Sequence, residues 1–74
     1  MNKNMTMQEV ARLKPGDRIR MVAMPEDPDP IPVGTIGVVE NVVSIMGYVQ
    51  ICMESWENGR HLNSIVPPDE VERT

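Results

Sequence analysis

Apolar and polar residues alternate with a period of two in two separate stretches of the chain. From Arg18 to Met24, Ile19, Met21 and Ala23 fall on one side and Arg18 and Arg20 on the other, which predicts a half-exposed strand. From Tyr48 to Met53, Val49, Ile51 and Met53 share one parity, and Tyr48, Gln50 and Cys52 take the other. Between them, Pro32 to Val43 holds six β-branched apolar residues, Val33, Ile36, Val38, Val39, Val42 and Val43, and reads as one long strand. Gly34 and Gly37 interrupt it. A glycine weakens a strand unless the backbone bends, bulges or closely approaches a neighbour, so the pair predicts the sharp coiling of a small barrel organised around this strand. Only the start of the chain has helical spacing. Met7, Val10 and Ala11, with Leu13 beyond, follow the capping-box form Thr6-Met7-Gln8-Glu9. A helix of under three turns persists only by docking its apolar face on something else.

Turn signals divide these elements. Lys14-Pro15-Gly16-Asp17 matches a type II turn, proline presetting one φ and glycine supplying a positive one. Pro25 to Pro32 carries four prolines and the carboxylates Glu26, Asp27 and Asp29, which predicts a stiff, acidic, exposed loop. Ser44 to Gly47 reads as a tight turn. Asn58-Gly59 carries the residues of a type I′ hairpin, with strands expected to pair across Trp56 and Leu62. Val66-Pro67-Pro68 breaks the pairing, and Val71 anchors a last short strand between Asp69 and Thr74. Residues 1–5 have no pattern and are expected to form a disordered tail. Residues 6–74 form a single domain.

Composition narrows the function classes. Cys52 is alone, so there is no internal disulfide or structural zinc site to staple a 74-residue chain, and a reducing cytoplasm is the expected compartment. No run of 18 apolar residues and no charged leader with an apolar core is present, so an unexported protein without a membrane span is expected. Seven basic against eleven acidic residues give a net charge of -4, the wrong sign for tracking phosphates. His61, the only histidine, has no Ser or Cys partner at a recognisable spacing and reads as a surface residue. The prolines deny Glu26, Asp27 and Asp29 the wrapped backbone of a calcium loop. Trp56 and Tyr48 are too few to form a stacking platform for single-stranded nucleic acid; Trp56 reads as a cover over the barrel end. The expectation is a non-enzyme without cofactor or metal.

The order of strand, acidic proline-rich loop, Gly-rich bent strand, tight turn, strand, hairpin, short strand, prolines and final strand is that of a five-stranded SH3-like β-barrel. Gly16-Asp17-Arg18-Ile19, Met24, Asp27-Pro28, Ile31-Pro32, Gly34-Thr35-Ile36-Gly37-Val38-Val39 and Trp56-Glu57-Asn58-Gly59 with Leu62 resemble the uncharacterised bacterial and phage domain-of-unknown-function family 4314, over about residues 13–71. Glu57 stands where that family usually has aspartate, and the strand before Trp56 is slightly longer, which leaves the register near Glu54-Ser55 open. The resemblance implies a mainly β, SH3-like fold and adds almost nothing about function. A weaker resemblance is to KOW-type barrels, which are usually basic.

The leading functional expectation is a small module that binds a protein or peptide, with a basic partner the best match. The alternative is a nucleic-acid- or ribosome-associated accessory protein of KOW-like type. An SH3-like order is expected to gather the Pro25 to Pro32 loop, the Ser44 to Gly47 turn and the Val66 to Pro68 break at one end, with Asn58-Gly59 at the other. The expected docking site is then Glu26, Asp27 and Asp29 as an acidic rim around Ile45, Met46 and Tyr48.

Overall fold

The structure, a computed structural model, describes residues 5–74. The expected disorder of residues 1–4 lies outside the described residues, as does the side chain of Met7. The elements are α1 Met7–Ala11, β1 Arg18–Ala23, β2 Ile36–Ile45, β3 Tyr48–Trp56, β4 Ser64–Ile65 and β5 Glu70–Arg73. The fold is mainly β. Among the described residues the pairings are antiparallel, in one sheet of order β4-β3-β2-β1-β5, which gives the five strands of the SH3-like fold expected from the sequence.

Local chemistry explains the start of the chain. Thr6 and Glu9 form the capping box: the Thr6 N–H donates to Glu9 Oε1 (3.0 Å) and the Glu9 N–H to Thr6 Oγ1 (3.2 Å). The Thr6 bonds, backbone first, hold the Glu9 carboxyl below the ordinary carboxylate range. Val10 and Leu13 pack on the core, but Ala11 is exposed, so the buried stripe is narrower than its spacing predicts. Met5 does not belong to a frayed tail. Its N–H donates to the Val71 carbonyl (2.9 Å), and its side chain packs on the core. The type II turn forms as expected, with Gly16 at φ 92° and the Asp17 N–H donating to the Lys14 carbonyl (3.0 Å).

The core gathers the inward residues of each strand: Ile19 and Met21 from β1, Val39 from β2, Ile51, Met53 and Trp56 from β3, Ile65 from β4 and Val71 from β5. Strand β1 follows its predicted parity only to Met21. A bulge between Met21 and Ala23 shifts the alternation, so Met24 is buried and Ala23 is left half-buried. Ile31, expected in an exposed loop, is 2% exposed, and its N–H points at the Met24 sulfur (3.4 Å). A single apolar residue among prolines thereby pins the acidic loop to the barrel.

Other expectations, on the long strand and on the hairpin, are corrected. The strand predicted from Pro32 begins only at Ile36. Residues 32–35 form a turn with Gly34 at φ 92° and the Thr35 N–H donating to the Pro32 carbonyl (3.1 Å). A Cβ on Gly34 would meet nothing, whereas one on Gly37 would lie 2.6 Å from Met53 Cε and 2.7 Å from Trp56 Cε3. Gly37 therefore serves close approach and Gly34 a turn conformation. The bending lies farther on, where the β2–β3 register shifts at Glu54 and again at Glu40. The Asn58-Gly59 pair is not a type I′ hairpin. Only Gly59 has positive φ (81°), the Gly59 N–H donates to the Trp56 carbonyl (2.9 Å), and β4 starts only at Ser64. Trp56 and Leu62 meet through the indole N–H on the Leu62 carbonyl (2.9 Å), not through strand pairing. The two-residue turn with both φ positive is Met46-Gly47, at 40° and 95°.

Candidate functional site

The sheet order leaves β4 and β5 as its two ends, with no pairing between them. Along this open seam lies a cleft of about 250 Å³. Val49 and Ile51 of β3 and Ile65 of β4 form one wall, and Val66, Pro67 and Val71 the other. Met5 and Val10, held by the capped helix and the Met5–Val71 hydrogen bond, close one side. The lining is apolar except for Asp69 and Glu70.

Asp69 is the titratable group at this cleft whose environment is strained. Burial pushes its carboxyl above the ordinary range. A backbone hydrogen bond at Val66 pulls it back, and the charges of Asp27 and Glu26 raise it further. The charges of the acidic loop thus bear on the β4–β5 connection. The tip of the loop is tied as well: Arg60 Nη2 donates to the Asp29 carbonyl (2.9 Å) and lies 3.6 Å from Asp29 Oδ2. Within the loop, Asp27 Oδ1 accepts from the Asp29 N–H (2.8 Å) and the Asp27 N–H donates to the Met24 carbonyl (3.2 Å).

These contacts correct the expected grouping. The charges of Glu26 and Asp27 act on Asp69, beside the Val66 to Pro68 break. Asp29, however, reaches the β3–β4 connection, which was expected at the opposite end. The turn between β2 and β3 lies at the end of β2 away from Ile36, where the loop re-enters the sheet. Met46 is 98% exposed, Tyr48 is 37% exposed and Ile45 is half-buried. Cross-strand pairing puts Ile45 and Tyr48 on the same, outward face, together with Val43 and Gln50, while Val42 and Ile51 share the inward face. None of the residues that line the cleft belongs to the expected docking site; Val49, Ile51 and Val71 were legible only as strand positions. Parity alone does signal Val49 as inward, but the gap it faces depends on β4 and β5 remaining apart.

His61 is exposed and, with Arg60, Trp56 and Leu62, lines a second, smaller depression. Cys52 is half-buried, its sulfur 4.0 Å from Gln50 Nε2. Among the described residues no group of three His, Cys, Asp or Glu side chains is placed to hold a metal ion, and no helix is long and apolar enough to cross a membrane. A protein-family model described as Domain of unknown function (DUF4314) matches residues 3–74. No curated protein and no solved structure matches the chain.

Proposed function

The chain belongs to this family of unknown function, and from that premise we propose that it is a small non-enzymatic module that binds a basic protein segment or peptide in the cleft between β3 and the β4–β5 connection. The observation that carries this reading is the pairing of an apolar cleft with carboxylates at its rim. Val49, Ile51, Ile65 and Val66 offer surface for an aliphatic or aromatic anchor. Asp69, with Asp27 and Glu26 close enough to perturb it, attracts a neighbouring Lys or Arg. The same carboxylates repel phosphate, which sets this reading above a KOW-like role on nucleic acid. The lone Cys52 supports the cytoplasm as the compartment.

Selection of a random displayed peptide library on the purified chain tests the proposal. Enriched peptides are expected to carry Lys or Arg next to an apolar anchor, to bind more weakly as salt rises, and to lose binding to a folded Val66→Asp variant. Failure to enrich any peptide, or steeply salt-dependent binding of generic RNA or DNA, would overturn it.

A further inference from the structure

The β2–β3 hairpin beyond Asn41 and Cys52 has apolar residues at both parities. Val42, Val49 and Ile51 point inward, while Val43, Ile45 and Tyr48 share the outward face and Met46 stands at the tip. A strand that is apolar at both parities is ordinarily covered on both faces. Here the helix and the core cover one face. On the other, Tyr48 and Met46 are the exposed large side chains. Met46 is costly twice over: it exposes its whole side chain at 98%, and it holds φ at 40°, a region that unbranched apolar residues seldom occupy. Nothing within the fold requires methionine there, since a two-residue turn of this kind is most readily made by Asn-Gly.

We infer that a second copy of this chain covers this outward face, in a two-fold pairing of the β2–β3 hairpins. The argument for a second copy is charge. In a two-fold contact each patch meets itself, so any net charge on it is set against its like. The outward residues from Val43 to Gln50, and Ser64, which accepts from Gln50 Nε2 (2.8 Å), are all uncharged, in a chain where 24% of residues are charged. Tyr and Met are also residue types enriched at interface centres. The patch is small. A standard interface covers roughly 800 Å² per partner, a large share of a total surface of 4856 Å², so the pairing is expected to be weak and reversible. It uses the face opposite to the cleft, and it stands whether or not the cleft binds a peptide.

Sedimentation of the full chain over a concentration series tests this. The wild-type protein is expected to shift from monomer to dimer as concentration rises, with no weakening by added salt. Tyr48→Lys and Met46→Lys are each expected to raise the dissociation constant by about tenfold or more. Val33→Lys, at an apolar position 78% exposed elsewhere on the barrel, is expected to leave it unchanged. Circular dichroism establishes that each variant is folded. A wild-type chain that stays monomeric up to its solubility limit overturns the inference. So does a dimer indifferent to both hairpin substitutions, or one weakened equally by Val33→Lys.

Discussion

The two halves of β2 have nearly the same composition and different fates. In the first half, Ile36, Gly37, Val38 and Val39 alternate between half-buried and buried, with β1 on one side and β3 on the other. In the second half, Val42, Val43 and Ile45 are all half-buried, and β3 alone is the strand partner. Composition gives each half its strand. What lies beside it decides whether the apolar area stabilises the chain or stays available to something else. The division falls at the paired bulges around Glu40 and Glu54, which swing the hairpin out of the ladder that β1 completes.

The sharpest way to break this comparison uses the same residue type in both regions. Ile19 is 0% exposed in the core, so Ile19→Ala is expected to cost about 2–5 kcal/mol in chemical denaturation, through lost burial and a residual cavity. A domain of this size has a total stability of only about 4–11 kcal/mol, so that loss is severe. Ile45→Ala, on the half-buried outward face of the hairpin, is expected to cost under about 1 kcal/mol. Equal losses would mean that the hairpin is packed as tightly as the barrel and has no surface to spare.

The glycines give the next largest contrast. Gly37→Val is expected to destabilise by about 1–3 kcal/mol, because Met53 and Trp56 already fill the space a Cβ needs. Gly34→Ala is expected to cost only about 1 kcal/mol, from the positive φ alone, since its Cβ enters open space. Both glycines stand out in the sequence, but their different roles do not. Gly37 faces Trp56 only through the β2–β3 register, a contact between residues far apart in the chain. The same reason separates what was legible elsewhere. Local signals such as the capping box, the Lys14–Asp17 turn and the inward parity of Ile51 and Met53 reappear in the fold. Features that depend on distant pairing do not show in the sequence: the Val22 bulge that turns Met24 inward, the burial of Ile31, and the cleft that exists because β4 and β5 stay apart.

Of the two candidate turns, Ser44 to Gly47 forms as expected and Asn58-Gly59 does not form its hairpin, for a different reason. Asn58-Gly59 has the preferred residues of a type I′ turn without the geometry, and Met46-Gly47 has the geometry without the residues. If Met46 is retained for contact with a second copy, Met46→Asn is expected to raise stability by about 0.5 kcal/mol while weakening self-association. A rise in melting temperature with unchanged dimerisation would leave the strained methionine unexplained. A fall would mean that Met46 packs more than its exposure suggests.

The smallest effect tests the seam where the inward face of the hairpin meets the β4–β5 connection. Asp69 has its carboxyl pKa raised, by burial first and then by Asp27 and Glu26 against the opposing Val66 hydrogen bond. A raised acid favours the folded state when protonated. Its contribution is therefore complete below the unfolded value of about 3.9 and is lost as pH climbs through the higher folded value. At neutral pH the ionised carboxylate is a net cost, much reduced by the solvent that reaches it. Asp69→Asn keeps an oxygen able to accept the Val66 hydrogen bond and removes the charge. It is expected to raise the melting temperature slightly at pH 7, and the gain should vanish as pH falls below the carboxylate range. The same variant is expected to weaken any basic ligand of the cleft and leave hairpin-mediated association intact. A gain that persists in acid would trace to packing instead of charge, and a loss at pH 7 would mean that Asp69 has a favourable partner in the folded chain. Either result would mean that charge at Asp69 is not the penalty to the fold that its raised pKa implies.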